Sequence, residues 1–137
     1  MAITATQIFD TRWRVSAKYV SDAAANSVVS LLDVSTLVGW ETGGLVNIAK
    51  IYWTSSAPSG GLDILWDATS NKLAFICEGS SGTYGYSPGQ PAIYNNAAVA
   101  NRTGDVLITN ASATFTLCIE YHKVVNAGGK GWTVSQQ

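Results

Sequence analysis

Charged side chains are scarce in this sequence. Asp, Glu, Lys and Arg make up 12% of its 137 residues, about half of the roughly 25% that is typical of soluble domains. The net charge is −1 and no basic cluster is present, which argues against binding to nucleic acid or to an anionic membrane surface. The hydrophobic share of 47% is too high, and the charge too low, for a disordered chain.

Long apolar runs and cysteine are also lacking. No run approaches the stretch of about 18 apolar residues that a membrane-spanning helix needs, and residues 1–10 lack the basic and apolar regions of a secretory signal. The two cysteines, Cys77 and Cys118, lie in apolar strand-like runs and not at metal-ligand spacing. We therefore predict two buried thiols, no disulfide framework, and no metal or other cofactor.

What the sequence does contain is a period of two. Phe115, Leu117, Ile119 and Tyr121 alternate with polar residues, which is typical of a strand with one face on a core. Ser, Thr and Asn together make up about a quarter of the chain. Turn residues, such as those at 70–71, separate the alternating runs from one another. The seven candidate strands lie at 12–19, 28–32, 45–53, 62–67, 72–78, 105–109 and 114–122. We predict one domain over residues 1–137, an antiparallel β-sandwich or jelly roll of about seven to eight strands.

Two segments do not fit this alternation. Residues 79–101 form a long connection that is rich in glycine, and from residue 80 onward it carries no charge. Connections of this length are usually functional or partly disordered, and the tyrosines Tyr84, Tyr86 and Tyr94 suit a contact surface. The equally open alternative is a loop packed across its own domain. The Gly-rich tail 126–137 contains Trp132, which suggests docking on its own domain or on a neighbour.

The five tryptophans divide by context. Trp13, Trp53 and Trp66 fall on apolar strand faces, and we predict that they belong to the core. Trp40 and Trp132 lie in loop-like context, where a ring can anchor a protein interface, stack on a sugar, or pack on its own domain. The sequence does not choose among these roles. The candidate interface residues are Trp40, Tyr84, Tyr86, Tyr94 and Trp132.

One apparent catalytic motif fails on physical grounds. Residues 85–89 match the G-x-S-x-G nucleophile elbow around Ser87, and Asp105 and His122 follow in the order of that triad. The elbow uses the backbone N–H after the serine as an oxyanion donor, but Pro88 has no N–H. The strand before the motif and the helix after it are also missing from the pattern. We therefore predict that the chain is not an enzyme.

Five segments, taken together and in order, carry a resemblance to a known family. They are 31–37 (LLDVSTL), 48–55 (IAKIYWTS), 62–69 (LDILWDAT), 103–109 (TGDVLIT) and 115–123 (FTLCIEYHK). Over roughly residues 12 to 124 the chain resembles small virion structural proteins of tailed bacteriophages, including cyanophages. The 79–101 loop and the 126–137 tail lie outside the resemblance.

This resemblance implies a component of the virion that is assembled in the host cytoplasm. The role it favours is a capsid decoration or cement protein, a homotrimer that binds the major capsid protein or other virion proteins. A tail- or fibre-associated subunit is the second possibility. From the aromatic residues alone, a lectin-like module for host surface glycans is a further alternative. No nucleic-acid or membrane partner is expected.

Overall fold

The computed structural model of the chain describes residues 3–22, 28–56, 62–98, 102–109, 114–124 and 132. Nine β-strands lie in these ranges. They are β1 (Ile3–Asp10), β2 (Arg14–Asp22), β3 (Val29–Leu32), β4 (Leu45–Ser55), β5 (Leu62–Trp66), β6 (Lys72–Cys77), β7 (Ser81–Tyr84), β8 (Val106–Thr109) and β9 (Thr114–Val124). Apart from Trp132, the predicted tail 126–137 lies outside the described residues.

The strands form two antiparallel sheets. The larger sheet has the order β1-β2-β9-β4-β7, and the smaller has the order β3-β8-β5-β6. Side chains from both sheets share one buried core, so the architecture is an all-β sandwich, as the sequence predicts. The hairpin predicted at 70–71 joins β5 to β6, and the Asn71 side chain accepts a hydrogen bond from the backbone N–H of Ala68 at 3.0 Å.

The core follows the predicted alternation most clearly in the central strand β9. Its inward side chains Phe115, Leu117, Ile119 and Tyr121 are buried, while the residues between them are partly exposed. Opposite them, Trp66 is fully buried in the smaller sheet. Each fully buried side chain of this size contributes about 1.5–3 kcal/mol relative to an exposed one. Burial of the inward face therefore holds the two sheets together.

Two strands differ from the sequence prediction. β1 was not predicted, because its side chains are exposed on both faces over residues 4–8 and so show no apolar alternation. β7 lies at the start of the 79–101 segment that was predicted to be a single connection, and it pairs with β4. Its chain is short and includes Gly82, which hides the strand pattern.

One tryptophan prediction was wrong. Trp53 and Trp66 are buried in the core, but Trp13 is 53% exposed. Residues 11–13 form the turn between β1 and β2 rather than part of a strand. The guanidinium carbon of Arg12 lies 4.5 Å from the centroid of the Trp13 ring, so a cation–π contact replaces burial in the core.

Candidate functional site

The candidate tyrosines lie on a segment that is held against its own domain. Tyr84 ends β7; its ring centroid lies 5.3 Å from that of Phe75, and its hydroxyl donates to the Pro91 carbonyl at 2.8 Å. Ile93 and Ile48 exchange two backbone hydrogen bonds, both 2.8 Å long. Tyr84 is therefore an internal anchor, half-buried and hydrogen-bonded.

The turn that follows β7 is closed by one side chain. The Gln90 amide oxygen accepts hydrogen bonds from the backbone N–H groups of Gly85 at 2.8 Å and Ser87 at 3.2 Å. Gly85 has a φ of 89°, and a Cβ there would overlap the carbonyl oxygen of Ala49. Glycine is thus required where this turn lies against β4.

The other two tyrosines face solvent. Tyr94 is 70% exposed and Tyr86 is 57% exposed. The Lys50 ammonium lies 5.4 Å from the centroid of the Tyr86 ring, which orients this ring beside the outer face of the larger sheet. Of the three predicted tyrosines, these two can contact a partner without any rearrangement.

Trp40 and Trp132 lie next to each other. They form an isolated antiparallel bridge, and Trp132 is only 7% exposed. The indole N–H of Trp132 donates to the carbonyls of Leu45 at 3.0 Å and Val124 at 2.9 Å. Of the interpretations left open by the sequence, packing on its own domain is the one that the structure gives for Trp132. Trp40 is half-buried beside it.

An apolar row that the sequence reading did not single out crosses the outer face of the smaller sheet. Leu65 of β5 lies opposite Leu73 of β6 on one side and Leu107 of β8 on the other. Leu73 is 45% exposed, and Ile76 on the same face is 39% exposed. We call these four residues the leucine row. Its one sequence signal is Leu65, which interrupts the polar face of an otherwise alternating strand.

The outer face of the larger sheet is polar instead. On β9, the Glu120 carboxylate lies 3.0 Å from the His122 ring and 3.7 Å from the Arg14 guanidinium. Lys50 is the cross-strand partner of Glu120, and Tyr52 is exposed on the same face. The Arg14–Glu120 ion pair lies at the surface, where such pairs contribute little to stability. The two outer faces of the sandwich therefore differ in chemical character.

Three aspartates lie near one another at the start of β8. Burial raises the pKa of Asp105, a hydrogen bond from the Val34 N–H lowers it, and the charges of Asp33 and Asp67 raise it further. The Thr103 hydroxyl donates to Asp67 at 2.7 Å, while Asp33 caps the 3-10 turn through the N–H of Ser35. These carboxylates are engaged by neighbouring backbone and hydroxyl groups, which is a structural role.

The residues of the G-x-S-x-G match are engaged separately. Ser87 sits in the turn closed by Gln90, Asp105 accepts from Val34, and His122 contacts Glu120. In the described ranges, no group of three or more His, Cys, Asp or Glu side chains could hold a metal ion. Among the same residues, no helix has the length and apolar character needed to cross a membrane.

The comparisons with known proteins give no relative. No protein-family model, no curated protein and no solved structure matches the chain.

Proposed function

We propose that this chain is a non-enzymatic structural protein of a bacteriophage virion, most specifically a decoration or cement protein that stabilises the capsid through protein–protein contacts. The observation that carries the proposal is the leucine row on the outer face of the smaller sheet. The inner face of that sheet is already buried in the core. A sheet that carries an apolar row on its outer face, in addition to its buried inner face, suits a position between its own core and a second protein.

The chemistry of the leucine row favours a protein partner with an apolar surface. The three leucines are direct cross-strand neighbours, so they form a continuous apolar surface, and Asp63, the cross-strand partner of Ile76, lies at its border on the same face. Removing such a surface from water contributes about 25 cal/mol per Å² of apolar area. Depletion of charge is also characteristic of the centre of protein interfaces. The partner we propose is the major capsid protein or another virion protein.

The resemblance of residues 12 to 124 to virion structural proteins supports the same proposal. It also leaves the tail or fibre as the second location. Copy number separates the two locations, because a shell protein is present in hundreds of copies per particle and a tail protein in few. Quantitative mass spectrometry of purified virions measures this number.

Binding to particles that lack the chain tests the proposal. We expect purified protein to bind such particles, and we expect Leu73→Glu to bind at least tenfold more weakly because a carboxylate would be buried in an apolar contact. Val20→Glu is the matched control, since Val20 is similarly exposed at 40% but lies on the larger sheet. Failure of the wild-type chain to bind, or equal binding by the two variants, would contradict the proposal.

A glycan-binding module is the second candidate, and the exposed rings of Tyr86 and Tyr94 favour it. Aromatic rings stack on sugars, and an exposed ring that is already positioned loses little entropy on binding. A glycan array with diverse bacterial polysaccharides tests this role. Binding that is lost in a Tyr86→Ala/Tyr94→Ala variant would support it, and an array without signal would reject it.

A further inference from the structure

β1 forms one edge of the larger sheet and is paired on one side alone. Within the described part of the chain its neighbour in the sheet is β2, and it has no other. In an antiparallel ladder, alternate residues of an edge strand direct their N–H and C=O groups away from the sheet. These groups form a template to which another strand can add.

β1 also extends beyond the cover of the smaller sheet. Ala5 and Gln7 are the partners of the buried residues Tyr19 and Ala17, so their side chains face the inside of the sandwich, yet both are exposed. Between β1 and β3 lies a groove of about 180 Å³, with Leu31 among its lining residues. The strand is thus open along its edge and on both of its faces.

The other three edges are less suited to pairing. β3 and β7 have four residues each, and the register of β6 with β5 shifts between Ile64 and Leu65. Short strands and bulges are the usual protection of sheet edges. β1 has eight residues, no proline, and no charge before Asp10. Its register with β2 is regular from Ile3 to Gln7 and shifts only between Gln7 and Phe9, so its irregularity lies towards the end of the strand and leaves five regular residues.

We propose that a second copy of this chain pairs with β1, strand to strand and antiparallel, about a twofold axis. The absence of charge from Ile3 to Phe9 is the argument for a second copy as the occupant. Two identical charged edges would repel each other, whereas this segment is compatible with itself. The contact joins the two larger sheets into one continuous sheet, and it does not depend on the proposed function in the virion.

The register of the contact follows from symmetry. Paired residues of an antiparallel ladder point to the same face. A twofold axis perpendicular to the sheet must therefore lie midway between the two copies of one residue, which is its own partner in the ladder. Ala5 is the middle of the regular segment Ile3–Gln7. When Ala5 of one copy pairs with Ala5 of the other, Thr4 of each copy lies opposite Thr6 of the other. Thr–Thr pairs are favourable cross-strand neighbours.

A cysteine at the axis tests this register. Paired Cα atoms in such a ladder are about 4.5 or 5.5 Å apart, inside the range of about 4.4–6.8 Å that a disulfide spans. We expect Ala5→Cys to form a covalent dimer under mild oxidation. Thr83→Cys is the matched control, because Thr83 is exposed on β7, the opposite edge of the same sheet. Equal rates of cross-linking in the two variants would overturn the proposal.

Charged substitutions at Thr4 and Thr6 give a second test. Both side chains are exposed, so these substitutions should preserve the fold. By sedimentation equilibrium we expect wild-type protein to have the mass of a dimer or of a multiple of two at high concentration. Thr4→Lys/Thr6→Lys and Thr4→Glu/Thr6→Glu should each dissociate at least tenfold more readily. An equimolar mixture of the two should regain the dimer, and Thr83→Lys should behave as wild type.

The outcomes separate this proposal from the virion role. A wild-type monomer or an isolated trimer, or a dimer unaffected by charge at residues 4 and 6, would overturn the β1 contact. Particle binding through the leucine row is measured with the Leu73→Glu variant, which leaves β1 unchanged. Either proposal can therefore fail while the other stands.

Discussion

The ammonium of Lys123 lies 2.6 Å from the carboxylate of Asp10, and the exposed fractions of the two side chains are 1% and 5%. The same ammonium donates to the carbonyls of Thr11 at 2.6 Å and Val38 at 2.7 Å, so all three of its protons have acceptors. The other Asp10 oxygen accepts from the Val38 N–H at 2.8 Å. This pair joins the end of β1 to the end of β9.

Breaking this pair should be costly. In Lys123→Met the Asp10 carboxylate is buried without its counter-charge, and we expect the free energy of unfolding to fall by about 3–5 kcal/mol. Urea denaturation measures the change. Lys18→Met is the matched control, since Lys18 is exposed and its loss should change stability by no more than about 0.5 kcal/mol.

The double variant Asp10→Asn/Lys123→Met separates a buried unpaired charge from lost packing. It removes both charges, so it should recover part of the stability lost in Lys123→Met. If the free energy of unfolding of Lys123→Met stayed within about 1 kcal/mol of the wild-type value, the pair would not be a major stabilising contact between β1 and β9.

Lys123 also shows how far the sequence can predict the structure. Alternation predicts most strands, because a face on the core must be apolar, and it places Lys123 in the inward series that contains Leu117 and Tyr121. A cation in that series indicates a buried charge that needs a partner. The partner, Asp10, is 113 positions away, at the end of a strand that alternation does not reveal. The pair therefore becomes visible only in the folded chain.

The same limit applies to the candidate surfaces. In the sequence, Leu65 can be noticed as an apolar residue on the polar face of an alternating strand. Its neighbour Leu107 cannot be identified in this way, because their contact depends on pairing between β5 and β8, which are distant in the chain. Exposure of Tyr86 and Tyr94, and burial of Trp132, likewise depend on which strands lie beneath them. Residue type identifies candidates, and only register determines which of them share a surface.

A second buried polar contact joins Tyr19 and Tyr121, whose hydroxyl oxygens are 3.0 Å apart on neighbouring strands. Tyr19→Phe leaves the Tyr121 hydroxyl without this contact, and we expect a loss of about 1–3 kcal/mol. Tyr19→Phe/Tyr121→Phe leaves neither hydroxyl unsatisfied, so it should cost less than the sum of the single variants. Tyr52→Phe, at an exposed position, is the control in urea denaturation. Additive losses would show that the two hydroxyls are not coupled.

Alkaline pH should destabilise the chain through the same two residues. Burial raises the pKa of Tyr19 from 10.0 to about 12 and is opposed by the hydrogen bond from Tyr121. Burial also raises the pKa of Tyr121 well above its usual value. Because the pKa of each tyrosine is higher in the folded state than in the unfolded state, its protonated form stabilises the fold. This contribution is fully present below pH 10 and is lost as the pH rises from 10 towards 12. Each tyrosine should lower the free energy of unfolding by about 1.4 kcal/mol per pH unit there.

Denaturation at several pH values between 9 and 11.5 tests this slope. The Tyr19→Phe/Tyr121→Phe variant should lose stability less steeply than wild type above pH 10, because it lacks both titrating groups. Other alkaline titrations are common to both proteins and cancel in the difference. Parallel curves would contradict the assignment of the slope to this pair.

The two thiols should differ in reactivity. Burial and, to a smaller extent, the charge of Asp63 raise the pKa of Cys77 from 9.0 to about 12. Cys118, which the sequence predicts to be buried, is only half-buried. Because the thiolate is the reactive form, a disulfide reagent at pH 8 should label Cys118 in the folded chain and Cys77 only after unfolding. Cys118→Ser should therefore lose the fast reaction, and Cys77→Ser should keep it. Rapid labelling of folded Cys118→Ser would contradict the burial of Cys77.

Gly82 should be intolerant of a side chain because of Trp53. The two are cross-strand partners of β7 and β4, and a Cβ at Gly82 would overlap the six-membered ring of Trp53. We expect Gly82→Ala to lower the free energy of unfolding by about 1–3 kcal/mol, as overpacking of a core does. In a Trp53→Leu background the same substitution should cost less, because the overlapping ring is gone. An equal loss of stability in both backgrounds would mean that Gly82→Ala acts through the backbone of β7 instead. A smaller loss in the Trp53→Leu background would mean that the glycine in this strand is what allows Trp53 to pack at the edge of the core.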